Sequence, residues 1–219
     1  MLKHMPKTAV CFSGQMRSIA LCMESIQNNL LAHTPDYDIF IHTTLDADTE
    51  KALWLNPKRI LAEKDIDIYE DERWVKHRDT PTIRQCLLQM WSMKQAFLLI
   101  DGTYGAIVRM RPDLQVLDPM DDMEFDPNSI CMPKRDNYYG YNDRFAFGPT
   151  HLMQPYMTRI DAFGEFAQDH PVHTEIFLKW FLDSRGITVS RMNAKFLTIR
   201  KNGSFLPPQQ QECYGDSMD

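Results

Sequence analysis

Thr8-Ala-Val-Cys-Phe-Ser-Gly-Gln-Met-Arg17 is the stretch that decides how the chain is read. Thr8 to Phe12 is a short apolar run bounded by Pro6 and by Ser13-Gly14. Such a run without alternation belongs to a strand covered on both faces, as in a parallel sheet. From Met16 to Leu31 the apolar residues Ile19, Met23, Ile26 and Leu30 recur at helical spacing, and Pro35 closes the segment. Strand, glycine turn and helix in this order open an α/β unit.

The same pattern continues outward. Asp38 to His42 is a second apolar run, and Ile60-Leu61 and Ile66 to Tyr69 are candidate short strands. A long helix follows Thr80-Pro81, an N-cap and a first-turn proline, with Ile83, Leu87, Met90, Lys94, Phe97 and Leu98 on one face up to Asp101-Gly102. Tyr104 to Arg109 is a third clear strand, its charged end leading into Leu114-Gln115-Val116. Pro119 to Pro149 is rich in Asp, Asn, Pro and Tyr, with a strand at Phe145 to Gly148, and reads as loops around a site. Helices from Leu152 to Phe166 and from Thr174 to Asp183, then strands at Ile187 to Val189 and Phe196 to Ile199, complete one α/β domain over 1–206. The polar stretch 207–219 reads as a frayed tail.

Composition narrows the function. The 219 residues are 43% hydrophobic and 25% charged, as in an ordinary globular domain. A net charge of −6 argues against a nucleic-acid backbone as the main partner, which would call for a basic surface. No apolar run approaches the roughly 20 residues of a bilayer span, and the apolar run after Lys7 stops at Ser13, too early for a secretory signal. Five cysteines, Cys11, Cys22, Cys86, Cys131 and Cys213, are odd in number and without a Cys-x-x-Cys pair. A reducing, cytoplasmic setting with cysteines as small buried hydrophobes is therefore expected.

Four groups carry residue types suited to chemistry. Ser13, Gly14, Gln15 and Arg17 stand where a strand hands over to a helix, a place for an anion such as a diphosphate; a plain tight turn is the alternative. Arg109, Arg111 and Asp113 alternate at the end of a buried strand, so all three are expected to face one cleft, as phosphate and metal contacts or as a structural ion pair. Literal Asp-x-Asp triplets occur at Asp46-Ala47-Asp48 and Asp65-Ile66-Asp67; the first follows a strand and could reach the same cleft, but reads more simply as a solvated acidic loop. Tyr138 to Gly148 combines three tyrosines with Asn142-Asp143-Arg144, residue types that stack on sugar rings and bridge hydroxyls, or that merely pack. His173-Thr174-Glu175 opens a helix, with Thr174 as a cap and Glu175 as a dipole carboxylate or a general base.

Taken in order, VCFSGQMR, DIFIHT, IVRMRPDL and NDRFAFG resemble microbial and viral (chlorovirus-like) glycosyltransferases of glycan synthesis, with a GT-A-like nucleotide-diphospho-sugar transferase fold. The resemblance implies a central, mostly parallel mixed sheet flanked by helices. It implies a nucleotide-sugar donor, UDP-linked by resemblance alone, and a glycan or glycoprotein acceptor. Where the family has Asp-x-Asp this chain has Arg111-Pro112-Asp113, so Asp113 is the expected ligand of a divalent cation, Mn or Mg, and Arg111 shares its work. Ser13, Gly14, Gln15, Arg17, Arg109 and Arg111 are expected to hold the nucleotide, and Asp143 or Glu175 to activate the acceptor. A carbohydrate- or nucleotide-binding module with a lapsed active site is the rival reading. A kinase is a weaker one, since no phosphate-binding Lys follows a glycine-rich loop.

Overall fold

The computed structural model describes residues 6–64, 66–68, 81–121, 123–170 and 172–206. Strand β1 (Thr8–Ser13) is buried along its whole length and lies parallel to β2 (Tyr37–Thr44) on one side and to β4 (Ala106–Met110) on the other. Its side chains serve two cores in alternation: Ala9 and Cys11 face one, Val10 and Phe12 the other. Strand β3 (Arg59–Glu63) extends the sheet beyond β2. Beyond β4 come β7 (Phe145–Pro149) and β6 (Ile130–Pro133), each antiparallel to its predecessor, and then β8 (Val189–Met192), parallel to β6. The order β3-β2-β1-β4-β7-β6-β8 is the expected α/β architecture, a mostly parallel mixed sheet flanked by helices. Strands β5 (Leu114–Val116), β9 (Phe196–Ile199) and β10 (Phe205–Leu206) form a second, three-stranded sheet.

Helix α2 (Pro81–Leu98) joins one core through Ile83, Leu87, Met90, Met93 and Ala96. The residues of α3 (Thr150–Met157), α4 (Phe163–Asp169) and α5 (Thr174–Ser184) fill the rest of it. Helix α1 (Ile19–Ser25) packs on the other core and continues through a π-helical turn over Ile26–Leu30 and a 3₁₀ turn over Leu31–His33.

Five local expectations differ from what is seen. Leu98 is exposed, because at 100° per residue the buried stripe of α2 has rotated away by its last turn. The helix expected from Leu152 to Phe166 divides into α3 and α4 around a 3₁₀ turn at Arg159–Ala162; Pro155, inside α3, lacks the amide that would continue the ladder. Strand β6 lies within a segment read as loops, and Ile66–Ile68 is not a strand. The strand expected from Ile187 starts at Val189. Asp65, Tyr69, Thr80 and the tail 207–219 lie outside the described residues.

Candidate functional site

The chain leaves β1 through α1 to β2 on one side, while β4 flanks β1 on the other, so the loops after β1 and β4 diverge. A crevice at the carboxyl ends of the strands results, the usual ligand place in such sheets. A cavity of about 640 Å³ opens there, walled on its far side by α2. That volume suits a small-molecule ligand. Ser13, Gly14, Gln15 and Arg17 line it from the first turn, Arg111, Pro112 and Asp113 from the turn after β4.

The first turn needs its glycine. Gly14 has φ = 123°, and a Cβ there would meet Pro112 Cδ at an ordinary 3.6 Å, so the backbone conformation and not crowding calls for glycine. The Gly14 amide is committed to the His42 carbonyl at 3.2 Å. Helix α1 begins only at Ile19, whose amide is committed to the Met16 carbonyl at 3.0 Å, so the Ser13-Gly14 turn is not itself the helix end. The Arg17 side chain lines the cavity and makes no ion pair among the described residues.

Arg111 Nε and Nη2 donate to the two Asp113 oxygens at 2.9 and 2.6 Å. This is the ion pair that the sequence left open as the alternative role. A divalent cation of the Mn or Mg kind can take one or two carboxylates and complete its shell with waters and substrate phosphates, so the state of the carboxylate at Asp113 decides the fit. Among the described residues no three His, Cys, Asp or Glu side chains converge at one point, and Asp113 is engaged through both oxygens. The donor set at Asp113 does not fit the cation that the resemblance implies.

Arg109 corrects the expectation that three alternating side chains face one cleft. It is fully buried below the cavity, donating to the Asp143 carbonyl and to Ser13 Oγ at 3.4 Å. Alternation aims Arg109 and Arg111 to the same side, but one pleat earlier the strand is still covered by helices. Arg159 is buried too, its guanidinium 4.5 Å from the centre of the Tyr156 ring. Arg109 Nη2 and Arg159 Nε and Nη2 have no hydrogen-bond partner among the described residues. Two guanidiniums held in a poorly screening interior raise the positive potential of the region.

Asp143 and Glu175 are both buried, and neither borders the cavity. Asp143 accepts a hydrogen bond of 2.5 Å from Gln89, which does. Burial opposes ionisation of Asp143, but Arg109, Arg111, Arg159 and Arg144 together outweigh it and hold the carboxyl below its ordinary range. Glu175 goes the other way: burial, and then the Asp143 charge, raise it to about 7. Thr174 does not cap α5; its hydroxyl donates to Glu175 Oε2 at 2.7 Å, and His173 occupies the cap position.

A carboxyl raised from 4.5 to about 7 on folding binds more protons folded than unfolded between those values. Stability is therefore fully present below pH 4.5 and falls by about 3 kcal/mol as pH rises to 7. Asp143, being depressed, acts below its unfolded value of 3.8, outside this window. Glu175→Gln is expected to flatten the decline of Tm between pH 4.5 and 7; parallel profiles for variant and wild type would show that Glu175 titrates normally.

Several wall residues were not legible beforehand. His42, at the end of β2, places Nε2 2.8 Å from Glu63 Oε2 and Nδ1 2.8 Å from Ser92 Oγ. A carboxylate only accepts, so Nε2 carries the proton and Nδ1 accepts from Ser92. Burial lowers the His42 pKa despite Glu63, keeping the ring neutral near pH 7. Trp91 Nε1 adds a second donor to the same Glu63 oxygen at 3.3 Å. The polar residue ending the DIFIH run was the available signal for His42. For Glu63, Ser92 and Arg200 there was none, because separate elements bring them in.

The other candidates lie elsewhere. Asp48 pairs with Lys51 and Lys201, and Asp46 accepts from the Asp48 amide, so this triplet is an ion-paired loop away from the cavity. In the Tyr-rich loop Asn142 braces the turn through the Arg135 carbonyl and the Arg144 amide, and Tyr139 points to solvent. Of its residues only Arg144 lines the cavity. Cys11, Cys22 and Cys86 are free and buried, and burial pushes the Cys22 and Cys86 thiols up to about 12, which leaves no thiolate nucleophile at these positions.

A family model described as a domain of unknown function, DUF7796, matches residues 3–218. The chain belongs to this family. The finer grouping with viral glycan-synthesis proteins finds no support in that match. No curated protein matches the sequence. Among solved structures, the chain shares its fold with the apo-form glycosyltransferase GlyE of Streptococcus pneumoniae TIGR4. The TM-score is 0.51 at 10% identity, over 85% of this chain and 45% of that one. The chain thus spans less than half of the GlyE chain. No helix among the described residues is long and apolar enough to cross a membrane.

Proposed function

We propose that the cavity binds a nucleoside-diphosphate sugar and that the chain transfers the sugar to a hydroxyl acceptor. One observation carries this reading. Among the described residues six cationic side chains, Arg17, Lys64, Arg84, Arg111, Arg144 and Arg200, and two carboxylates, Glu63 and Asp113, line the cavity, in a protein of net charge −6. A cleft of opposite sign to its protein focuses the field and selects an anion. The shared fold with a glycosyltransferase makes a sugar diphosphate the fitting anion, and UDP as its carrier rests on the sequence resemblance.

In this reading the acceptor oxygen bonds to the anomeric carbon as the bond from that carbon to the diphosphate oxygen breaks. The pair of electrons leaves with the diphosphate, whose charge Arg17, Arg111 and Arg200 stabilise. The acceptor proton goes to Glu63. Of the two wall carboxylates, Asp113 is engaged through both oxygens, whereas Glu63 has only Oε2 occupied. Asp143 then serves as a positioning residue through Gln89, and Glu175 as a buried support behind the wall.

A thermal-shift panel of UDP-, GDP-, CMP- and dTDP-sugars tests the donor class, since stabilisation follows ligand concentration over Kd. Arg17→Ala is expected to weaken binding of the stabilising donor by about 1.5–3 kcal/mol, one charge-assisted contact. Unchanged affinity in calorimetry would remove Arg17 from the site. Donor binding without transfer or hydrolysis would leave a nucleotide-binding module instead.

A further inference from the structure

We infer that the cavity holds its diphosphate with cationic side chains, guanidiniums foremost, and needs no divalent cation. The inference rests on the donor reading above and adds to it the means of charge neutralisation. Asp113, the residue placed to ligate a cation, has both oxygens on Arg111, and Glu63 gives one oxygen to His42 and Trp91. A cation at Asp113 would have to break a two-point charge-assisted pair before gaining its first ligand. It would also enter a place already surrounded by positive charge: six cations on the wall, and Arg109 and Arg159 buried nearby. Like charges repel strongly where water is excluded.

The same arrangement favours a polyanion. The side chains of Arg17, Lys64 and Arg200 make no ion pair among the described residues, and Arg111 keeps Nη1 free while Asp113 holds its other edge. A guanidinium clamped on one edge by a carboxylate presents its remaining donors in a fixed direction, which suits phosphate oxygens. The Gly14 amide is spent on His42, so at that residue of the first turn the backbone has no donor left for a phosphate.

Calorimetric titration of the full chain with inorganic pyrophosphate, and with the nucleotide-sugar panel, is to be done in EDTA and again in Mn²⁺. The expected result is binding of both in EDTA, with affinity changed less than twofold by Mn²⁺. Asp113→Asn separates the two schemes by size: it abolishes binding if Asp113 holds a metal, and lowers affinity no more than a few-fold if Asp113 only aims Arg111, since an amide oxygen still accepts from that guanidinium. Binding seen only with Mn²⁺ overturns the inference and leaves the donor reading intact. Pyrophosphate binding in EDTA with no nucleotide-sugar bound in either condition sustains the cationic site and overturns the donor reading. No binding of any probe in either condition overturns both. The wild-type titration alone decides these outcomes if Asp113→Asn fails to fold.

Discussion

Glu63→Gln is expected to slow sugar transfer by about 10²- to 10⁴-fold, the usual contribution of a general base, while donor affinity stays within a few-fold of wild type. The expectation follows from position. Glu63 is the carboxylate on the cavity wall with an oxygen to spare, and its other oxygen is fixed by His42 Nε2 and Trp91 Nε1. Glutamine keeps the shape and an acceptor oxygen for those donors. Glu175→Gln and Asp143→Asn, made in parallel, are expected to alter stability and donor affinity more than the rate of the bound complex, because both residues reach the cavity only through its wall. If Glu63→Gln slows transfer by less than tenfold, Glu63 is not the base. Loss of rate in Glu175→Gln at unchanged donor affinity would move that role to Glu175, and full rate in all three would favour a retaining mechanism without a dedicated protein base.

Gly140→Ala should destabilise the fold by about 3 kcal/mol, the upper part of the usual range for overpacking. A Cβ at Gly140 would stand 1.9 Å from the Glu175 carbonyl oxygen, 2.1 Å from its carbon and 2.6 Å from the Ile176 nitrogen. All three are backbone atoms of the first turn of α5, so no flexible side chain can yield. The contact is also tied by hydrogen bonds on either side: the Gly140 amide donates to the Asn137 carbonyl at 2.7 Å and the Tyr141 amide to the Glu175 carbonyl at 3.1 Å. For a chain of this size the loss corresponds to a fall in Tm of about 10 °C. Because the loop carries Asp143 and Arg144, donor affinity should fall with it. A variant melting within 2 °C of wild type would show that loop and helix separate at little cost.

By itself the sequence determined the architecture and the end of the sheet where the site lies. TAVCF, DIFIH and YGAIVR hold apolar runs without alternation, the pattern of strands covered on both faces, and each passes into polar residues at its carboxyl end. That local pattern was enough to name Ser13, Gly14, Gln15, Arg17, Arg111 and Asp113, all of which line the cavity. What Arg109, Asp113, Asp143 and Glu175 do in the fold was decided by tertiary structure alone. Whether a charge faces a cleft, an opposite charge or a helix depends on which elements cover it, and residues distant in the chain supply those covers. Arg109 is sealed under the site, Asp113 is clasped by Arg111, and Glu175 is lifted to about 7 by burial and by Asp143, which lies in a different loop. His42, Glu63, Trp91 and Ser92 meet for the same reason: β2, β3 and α2 bring them together from positions up to 50 residues apart, a separation at which no local periodicity carries information.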